Sequence, residues 1–200
     1  GLYKSEKDPW EQSGKTGKIG EYYLHSRARL FVMSWSAIKS GTVLEVGCGH
    51  GLVTNTFNNI MDGMRWEGLA ISPTAIEQAR KLHPKCVFHV GDVTKFGMGL
   101  PVGKRYDMIV FNQVLWYILH AMDGVVANCY NRLVPGGRLL ISQAYLRHQR
   151  YGTDIADGFH GMLDLFRVRY SRQFRLIEAR YDDTDKFIHH DGLLLFRRQS

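Results

Sequence analysis

The sequence has no long apolar run, since its longest uninterrupted apolar stretches are only a few residues, as at residues 193–196. A membrane-spanning helix needs roughly 20 consecutive apolar residues, so the sequence predicts none. The first residues show no charged segment followed by an apolar one, and we expect no signal peptide there. No segment recurs at a period of roughly 20 to 50 residues, which excludes solenoids and propellers.

Cysteine is scarce, and the three cysteines, Cys48, Cys86 and Cys129, are widely spaced without any C-x-x-C pair. This spacing argues against a disulfide framework and against a zinc knuckle, and it favours the reducing cytoplasm. The chain has 200 residues, of which 44% are apolar and 22% charged. These values are typical of one globular domain and exclude a disordered or fibrous chain.

The charge is unbalanced towards the basic side, with 26 Lys and Arg against 19 Asp and Glu, a formal net charge of +7. Such an excess suits an acidic substrate, a phosphorylated carrier or nucleic acid, but it also arises by simple solvation of the surface. Basic residues concentrate only at residues 147–150 and 167–180, without the length or the interleaved aromatics of an RNA-binding stripe. We therefore favour surface solvation.

The order of apolar and turn-forming segments predicts a sheet covered by helices. Near-continuous apolar segments alternate with segments of helical periodicity, which is typical of a parallel sheet with helices on both faces. The last two apolar segments are joined by Asp-Asp-Thr-Asp, which predicts an antiparallel hairpin. The predicted strands cover residues 42–46, 66–71, 87–90, 107–111, 138–143, 174–181 and 187–197, and the predicted helices cover residues 19–38, 52–60, 73–82 and 122–133.

These elements predict one α/β domain over residues 1–200. Residues 40–200 form a doubly wound, Rossmann-like sheet, mostly parallel with the C-terminal antiparallel hairpin, and residues 1–39 form an N-terminal helical lid. A ligand in such a fold binds outside the carboxyl ends of the parallel strands.

One glycine-rich segment carries most of the chemical information. Residues 43–51 read Val-Leu-Glu-Val-Gly-Cys-Gly-His-Gly, so a predicted strand enters a glycine turn and a helix starts directly afterwards. Such a turn lets the backbone pass close to a ligand and directs helix N–H groups at it. The dinucleotide fingerprint G-x-G-x-x-G would need glycine at position 52, which is Leu52. By itself, the segment is also compatible with a simple tight turn.

Further segments follow this turn in a recognisable order. They are Gly-Leu-Ala-Ile-Ser-Pro at 68–73, Gly-Asp-Val at 91–93, Tyr-Asp to Asn at 106–112, and Leu-Val-Pro-Gly-Gly at 133–137. Over roughly residues 40–145 the chain resembles the class I S-adenosylmethionine-dependent methyltransferases. The start Asp8-Pro9-Trp10, the run Val-Leu-Trp-Tyr at 114–117 and Asp-Gly-Leu-Leu at 191–194 are similar to the small nodulation-type (NodS-like) N-methyltransferases.

The resemblance implies a site for S-adenosyl-L-methionine. Its methionine part would lie against the backbone of Gly47, Cys48 and Gly49, with Glu45 accepting from the ammonium group and Asn112 beneath.

The resemblance also assigns the other parts of the cofactor. The adenine amino group would donate to Asp92, and the amide of Val93 would reach a ring nitrogen. In the lid, Arg27 would pair with the cofactor carboxylate, although a solvated Arg on a helix face is the alternative.

One position departs from the family. Members usually carry Asp or Glu at the end of the second strand, where the carboxylate binds both ribose hydroxyls, whereas this chain has Ala70 followed by Ile71. Glu67 does not replace it easily, because three residues along a strand place it on the opposite face. We keep Ala70 and Ile71 in the predicted binding set, and how the ribose is held stays open.

Methyl transfer mainly requires an aligned nucleophile and exclusion of water, and it needs a base only when the acceptor arrives protonated. The candidates are Tyr117, after the fourth strand, and His148 and His160, after the fifth; surface positions are the alternative reading. We predict no metal site, since His189 and His190 are adjacent on a strand and point to opposite faces.

Four aromatic residues are candidates for an aromatic pocket wall or for core packing: Trp10, Trp116, Tyr22 and Tyr23.

The sequence thus predicts a cytoplasmic enzyme that methylates a small-molecule amine or hydroxyl in a biosynthetic pathway. Two alternatives stay open: an RNA or protein methyltransferase, and a non-catalytic nucleotide-binding protein that lost the ribose acid at Ala70. We expect a monomer or homodimer without a membrane or nucleic-acid partner.

Overall fold

The computed structural model describes residues 40–146, 148–182 and 189–200, except for the side chain of His189. The predicted lid of residues 1–39, with its helix and Arg27, lies outside these residues. So do Trp10, Tyr22 and Tyr23, and most of the predicted turn at residues 182–185.

The described residues form seven strands and four α-helices, with two short 3-10 turns at Leu115–Tyr117 and Leu119–Ala121. Along the chain the elements are β1 (Gly41–Val46), α1 (Leu52–Ile60), β2 (Met64–Ala70), α2 (Pro73–Leu82), β3 (Val87–Val90), β4 (Tyr106–Asn112), α3 (Met122–Arg132), β5 (Leu133–Leu146), α4 (Gly158–Val168), β6 (Phe174–Asp182) and β7 (His189–Arg198).

The strands form one sheet in the order β3-β2-β1-β4-β5-β7-β6. The first five are parallel, and β7 runs antiparallel between β5 and β6. Strands β2 and β3 follow one another on one side of β1, and the chain then crosses to the other side, where β4 pairs with β1. This confirms the predicted fold class and places a topological switch point between β1 and β4, where ligands of such sheets bind.

Local sequence explains where α2 begins. Ser72 has an extended backbone and its Oγ accepts a hydrogen bond from the Ala75 amide at 3.2 Å, which caps the helix. Pro73 follows in the first helical turn, where its missing N–H is not needed. The strand end at Ala70 is therefore followed by a short, fixed connection.

Both faces of the sheet are covered by apolar side chains. The larger core lies between the sheet and helices α3 and α4, and it includes Phe159, Met162 and Phe166 of α4. The opposite core packs Val53 and Phe57 of α1 against the sheet. The two faces explain why the parallel strands are almost continuously apolar.

Several strands differ by one or two residues from the predicted bounds, as β2 does, and two elements differ by more. Helix α4 was not predicted, although its buried residues recur at helical spacing; the intervening Gly161 and the preceding loop obscure the pattern. Strand β5 begins at Leu133 rather than at residue 138, because Leu133 pairs with Tyr106 before the register shifts across the Pro135-Gly136-Gly137 turn.

All three cysteines are free thiols, and Cys48 and Cys129 are buried. Within the described part of the chain, no helix is both long enough and apolar enough to cross a membrane.

Candidate functional site

Four strand ends meet at one edge of the sheet, which we call the cofactor edge: the carboxyl ends of β3, β2, β1 and β4. Val46 of β1 lies between Leu69 of β2 and Phe111 of β4, and Ala70 lies beside Val90. The residues that follow these strands are therefore neighbours across the edge, although they are far apart in sequence. The structure brings together most of the predicted cofactor-binding residues, namely Glu45, Gly47, Cys48, Gly49, Ala70, Ile71, Asp92, Val93 and Asn112.

The glycine turn after β1 depends on left-handed backbone conformations. Gly47, Gly49 and Gly51 have φ of 80°, 54° and 76°. A Cβ at Gly47 would lie 2.7 Å from the side chain of Val114, in the loop after β4. The amide of Gly47 donates to the Leu69 carbonyl at 2.7 Å, which ties the turn to β2. Glycine here provides both the φ angle and the space for close approach.

Glu45 is buried at the end of β1, where it is 2% exposed. Its carboxylate accepts a hydrogen bond from the hydroxyl of Thr54, on α1, at 2.5 Å. Burial, and then the negative charge of Glu45, raise the pKa of the Cys48 thiol well above its usual value. The turn thus holds a fixed negative charge beside a neutral thiol, which suits the ammonium group of an amino acid.

The end of β2 lacks a carboxylate in the structure as well. Ala70 is 8% exposed and Ile71 is 70% exposed. Glu67 points to the other face, where its carboxylate accepts from Tyr106 at 3.1 Å and lies 3.0 Å from His89. The ribose position therefore has no acidic residue from β2.

Asp92 follows β3 and is half-buried. Its Oδ1 accepts from the amide and the hydroxyl of Thr94, at 2.9 and 2.7 Å. No described residue hydrogen-bonds to Oδ2. The side chain is thus fixed through one oxygen while the other can accept from an amino group. Val93 is buried behind it.

The loop after β4 is held by two glutamines that the sequence analysis missed. Asn112 is buried at the strand end, and the next residue, Gln113, has φ of 60°, which is rare outside glycine. The Gln113 Oε1 accepts from the Ala144 amide at 2.7 Å, and the Gln143 Oε1 accepts from the Leu115 amide at 3.3 Å. Gln113 directly follows β4, whereas Gln143 lies inside β5, so no local sequence signal marks the two amides as partners.

A cavity of about 500 Å³ opens beyond the carboxyl ends of β4 and β5. Trp116 lies on its wall and donates from Nε1 to the Ala144 carbonyl at 2.9 Å. The described lining residues are Trp116, Leu146, His148, Gln149, Arg150 and Tyr151.

The three predicted catalytic residues do not converge. His148 lines the cavity, whereas Tyr117 is 61% exposed in the first 3-10 turn. His160 is exposed on α4, where its ring packs against Phe159 and Tyr181. Of the three, only His148 is among the described residues of the cavity wall.

An aromatic cluster, with Tyr145 and Phe159 buried at its centre, extends from Trp116 on the cavity wall. Tyr145 packs edge-on against Trp116 and Phe159, with ring centroids 5.4 Å apart in each pair. Phe159 stacks on Tyr181 at 4.7 Å, and the Tyr181 hydroxyl lies 2.9 Å from Nδ1 of His190. The cluster fixes the carboxyl end of β5 and the helix that follows it.

No group of three described His, Cys, Asp or Glu side chains could hold a metal ion. Because the side chain of His189 is outside the described residues, the absence of a metal site stays a prediction.

The residues present fit S-adenosylmethionine. The left-handed glycines leave backbone open to close approach, Glu45 provides negative charge, and Asp92 keeps one carboxylate oxygen for a donor. Asn112 lies at the end of the adjacent strand. The exception is the ribose, for which β2 provides no acid.

Comparisons with known proteins agree with this geometry. Residues 43–137 match the family model for a methyltransferase domain. The chain is 28% identical over 141 residues to a malonyl-[acyl-carrier protein] O-methyltransferase of Halalkalibacterium halodurans, covering 69% of this chain and 48% of that protein. It is 27% identical over 161 residues to the ribosomal RNA small subunit methyltransferase C of Escherichia coli, covering 73% and 45%. The chain spans about half the length of these curated relatives.

The fold is also that of a solved methyltransferase. The N-methyltransferase NodS of Bradyrhizobium japonicum WM9, in complex with S-adenosyl-L-homocysteine, superposes with a TM-score of 0.72 at 18% identity, covering 98% of this chain and 94% of that one. At this identity the likeness concerns the fold. The match over residues 43–137 identifies a methyltransferase domain in this chain, and the fold and the geometry of the cofactor edge are those of the class I S-adenosylmethionine-dependent methyltransferases.

Proposed function

We propose that this chain transfers the methyl group of S-adenosylmethionine to a small-molecule amine or hydroxyl bound in the cavity beyond β4 and β5. The observation that carries the proposal is the cavity itself. It is about 500 Å³ in volume, within the usual range for small-molecule sites, and its wall includes Trp116, which follows β4 of the cofactor edge.

The cofactor supplies an already activated methyl group when bound. The chain has to hold that cofactor, orient the acceptor and exclude water. Gly47 and Gly49 allow close backbone approach, Glu45 faces the ammonium group, and Asp92 accepts through its unused oxygen. Trp116 and Tyr151 give the cavity apolar walls against which an acceptor can be oriented.

A base is required only for an acceptor that carries a proton on its reacting atom. Within the proposed site, His148 is the candidate because it lines the cavity, whereas Tyr117 and His160 are not among the described lining residues. We further propose that residues 1–39, including Arg27, form a lid over the cofactor, and that the protein acts in the cytoplasm.

The test is a methyl-transfer assay with isotopically labelled S-adenosylmethionine and a panel of amino sugars, other amines, phenols and aliphatic alcohols. We expect label in one small-molecule class, and Trp116→Ala should raise KM for that acceptor. The control Phe96→Ala changes an exposed aromatic outside the described cavity lining and should leave KM unchanged.

RNA methylation is the second candidate, because one curated relative is a ribosomal RNA methyltransferase and the chain carries a net charge of +7. Total RNA is therefore a further arm of the assay. Label in RNA alone would replace the small-molecule proposal. Binding of cofactor without transfer to any arm would favour a non-catalytic protein.

A further inference from the structure

Three arginines stand side by side across the sheet, and we call them the arginine row: Arg138 of β5, Arg197 of β7 and Arg175 of β6. Arg138 pairs directly with Arg197, and Arg197 pairs directly with Arg175. Residues directly opposite in neighbouring strands point to the same face. Since strands lie about 4.8 Å apart, the three Cα atoms span roughly 10 Å.

Described carboxylates do not neutralise the row. The salt bridges of the described residues include none to Arg138, Arg175 or Arg197. On the same strand as Arg175, Glu178 pairs with Arg180 instead. Like charges directly opposite each other destabilise a sheet, so the row is unfavourable unless something outside the described residues compensates it.

The Arg138 side chain is also incompletely satisfied. Its Nη1 donates to the Gly136 carbonyl at 2.5 Å, but its buried Nε has no hydrogen-bond partner among the described residues. Burial, together with the charge of Arg197, lowers the pKa of Arg138. Arg175 and Arg197 are exposed, so the row is accessible from solvent.

The position of the row separates it from methyl transfer. Arg138 lies beside Met108, near the amino end of β4, whereas the cofactor edge begins after Asn112. Four residues of strand correspond to roughly 13 Å. The row therefore serves neither the cofactor nor the cavity.

We propose that the arginine row is the docking surface for an acidic helix of a partner protein. Carboxylates three or four residues apart on a helix are about 5–6 Å from one another, close to the spacing of the strands that present the arginines. The guanidinium group is suited to bidentate pairing with carboxylate.

A nucleic-acid strand fits this surface less well. Proteins that bind single strands combine cationic grooves with aromatic side chains on which bases stack. On the row's face, the neighbouring described residues of β5, β6 and β7 are aliphatic, as at Leu140 and Leu195, or acidic, as at Glu178, and none beside the arginines is aromatic. The row also offers three charges rather than a long track.

The test uses dye-labelled, alanine-rich helical peptides with glutamate or glutamine at every fourth position, and a short uridine oligonucleotide. Binding to the full chain is followed by fluorescence anisotropy at low salt. The variant is Arg175→Gln with Arg197→Gln. The control, Arg167→Gln with Lys85→Gln, removes the same charge from exposed positions elsewhere.

We expect the glutamate peptide to bind and the glutamine peptide not to bind. The row variant should weaken binding about fivefold, while the control keeps it within about twofold. Arg197→Gln alone should raise the melting temperature, because it relieves the repulsion; this also shows that the variants fold.

Three results would overturn the proposal. One is failure of the wild-type chain to bind the glutamate peptide, and another is an equal loss in the row variant and in the control. The third is tighter binding of the oligonucleotide with loss in the row variant, which would assign the row to nucleic acid.

Discussion

At the scale of single residues, Glu67 shows how a carboxylate is kept charged inside the sheet. It is fully buried, yet its carboxylate accepts hydrogen bonds from the Lys104 ammonium at 2.9 Å and the Tyr106 hydroxyl at 3.1 Å, and it lies 3.0 Å from Nε2 of His89. Burial alone would raise its pKa, but hydrogen bonds from His89, Lys104 and Tyr106 outweigh burial and lower the pKa to about 2. Glu67 is therefore an ionised side chain whose hydrogen-bond partners stabilise the fold on the sheet face opposite Ala70.

This pKa predicts a loss of stability in acid. The folded-state pKa is lower than the ordinary value of 4.5, so the contribution is present above pH 4.5 and is lost as the pH falls towards about 2. The shift corresponds to about 3 kcal/mol of unfolding free energy. We expect the unfolding free energy, measured in urea at several pH values, to fall less between pH 4.5 and pH 2 in Glu67→Gln than in wild type. Glu77→Gln, at an exposed ion pair, is the control and should show the same fall as wild type.

The glycine turn gives a second prediction at this scale. Gly49→Val should abolish binding of S-adenosylhomocysteine in calorimetry, because a branched side chain at φ of 54° strains the turn and occupies the ligand's space. Gly103→Val is the matched control, since Gly103 has φ of 75° with nothing within 4 Å of an added Cβ. Wild-type affinity in a folded Gly49→Val protein would contradict the cofactor site.

Ala70 gives a third prediction. Ala70→Asp should strengthen binding of S-adenosylhomocysteine, because two ribose hydroxyls can donate to the new carboxylate, a gain on the order of 1–3 kcal/mol. Ala127→Asp, on the exposed side of α3, adds the same charge elsewhere and should leave affinity unchanged. Weaker binding by folded Ala70→Asp would mean that another group holds the ribose.

At the scale of elements, one side chain closes the loop between β5 and α4. The Gln149 Nε2 donates to the carbonyls of Tyr151 and Ala156, both at 2.7 Å, and its Oε1 accepts from the Gly158 amide at 2.9 Å. The Gln149 side chain thus holds the loop that carries Arg150 and Tyr151 on the cavity wall.

We therefore predict that Gln149→Leu destabilises the fold by roughly 1–3 kcal/mol and loosens the cavity wall without affecting cofactor binding. Gln149→Glu keeps only the acceptor to Gly158 and should give an intermediate loss. Urea unfolding and calorimetry with S-adenosylhomocysteine measure the two effects separately. A fall in cofactor affinity equal to the loss of stability would show that the loop also shapes the cofactor edge.

The elements also show what the sequence could predict. Helices α1 and α2 and strand β3 have the predicted bounds, because their apolar periodicity is bordered by glycine, Ser-Pro or His-Pro. The position of the cofactor edge was predictable, since its residues follow strands whose order in the sequence resembles that of the class I methyltransferases. Gln113 and Gln143 were not, because their role depends on pairing between β4 and β5, which no local pattern encodes.

At the scale of the whole molecule, the arginine row and the cofactor edge lie towards opposite ends of the strands, because Arg138 is beside Met108 whereas the cofactor edge begins after Asn112. The register that places Arg138 beside Met108 also places Ser142 beside Asn112. One sheet thus presents an oxygen-rich, partly acidic edge to the cofactor and a cationic region near the other end. Neither could be located from net charge alone, because +7 describes the sum and not its distribution.

The position of β7 has a consequence for synthesis of the chain. β7 follows β6 in the sequence, yet it lies between β5 and β6 and is the only described strand that pairs with β6. Until β7 has been made, the edge of β5 and the whole of β6 lack the ladder partner that the structure gives them. Unpaired strand edges are sites of aggregation. A nascent or prematurely ended chain that stops before residue 189 therefore exposes two unpaired edges, and the residues of β7 decide whether such a chain aggregates.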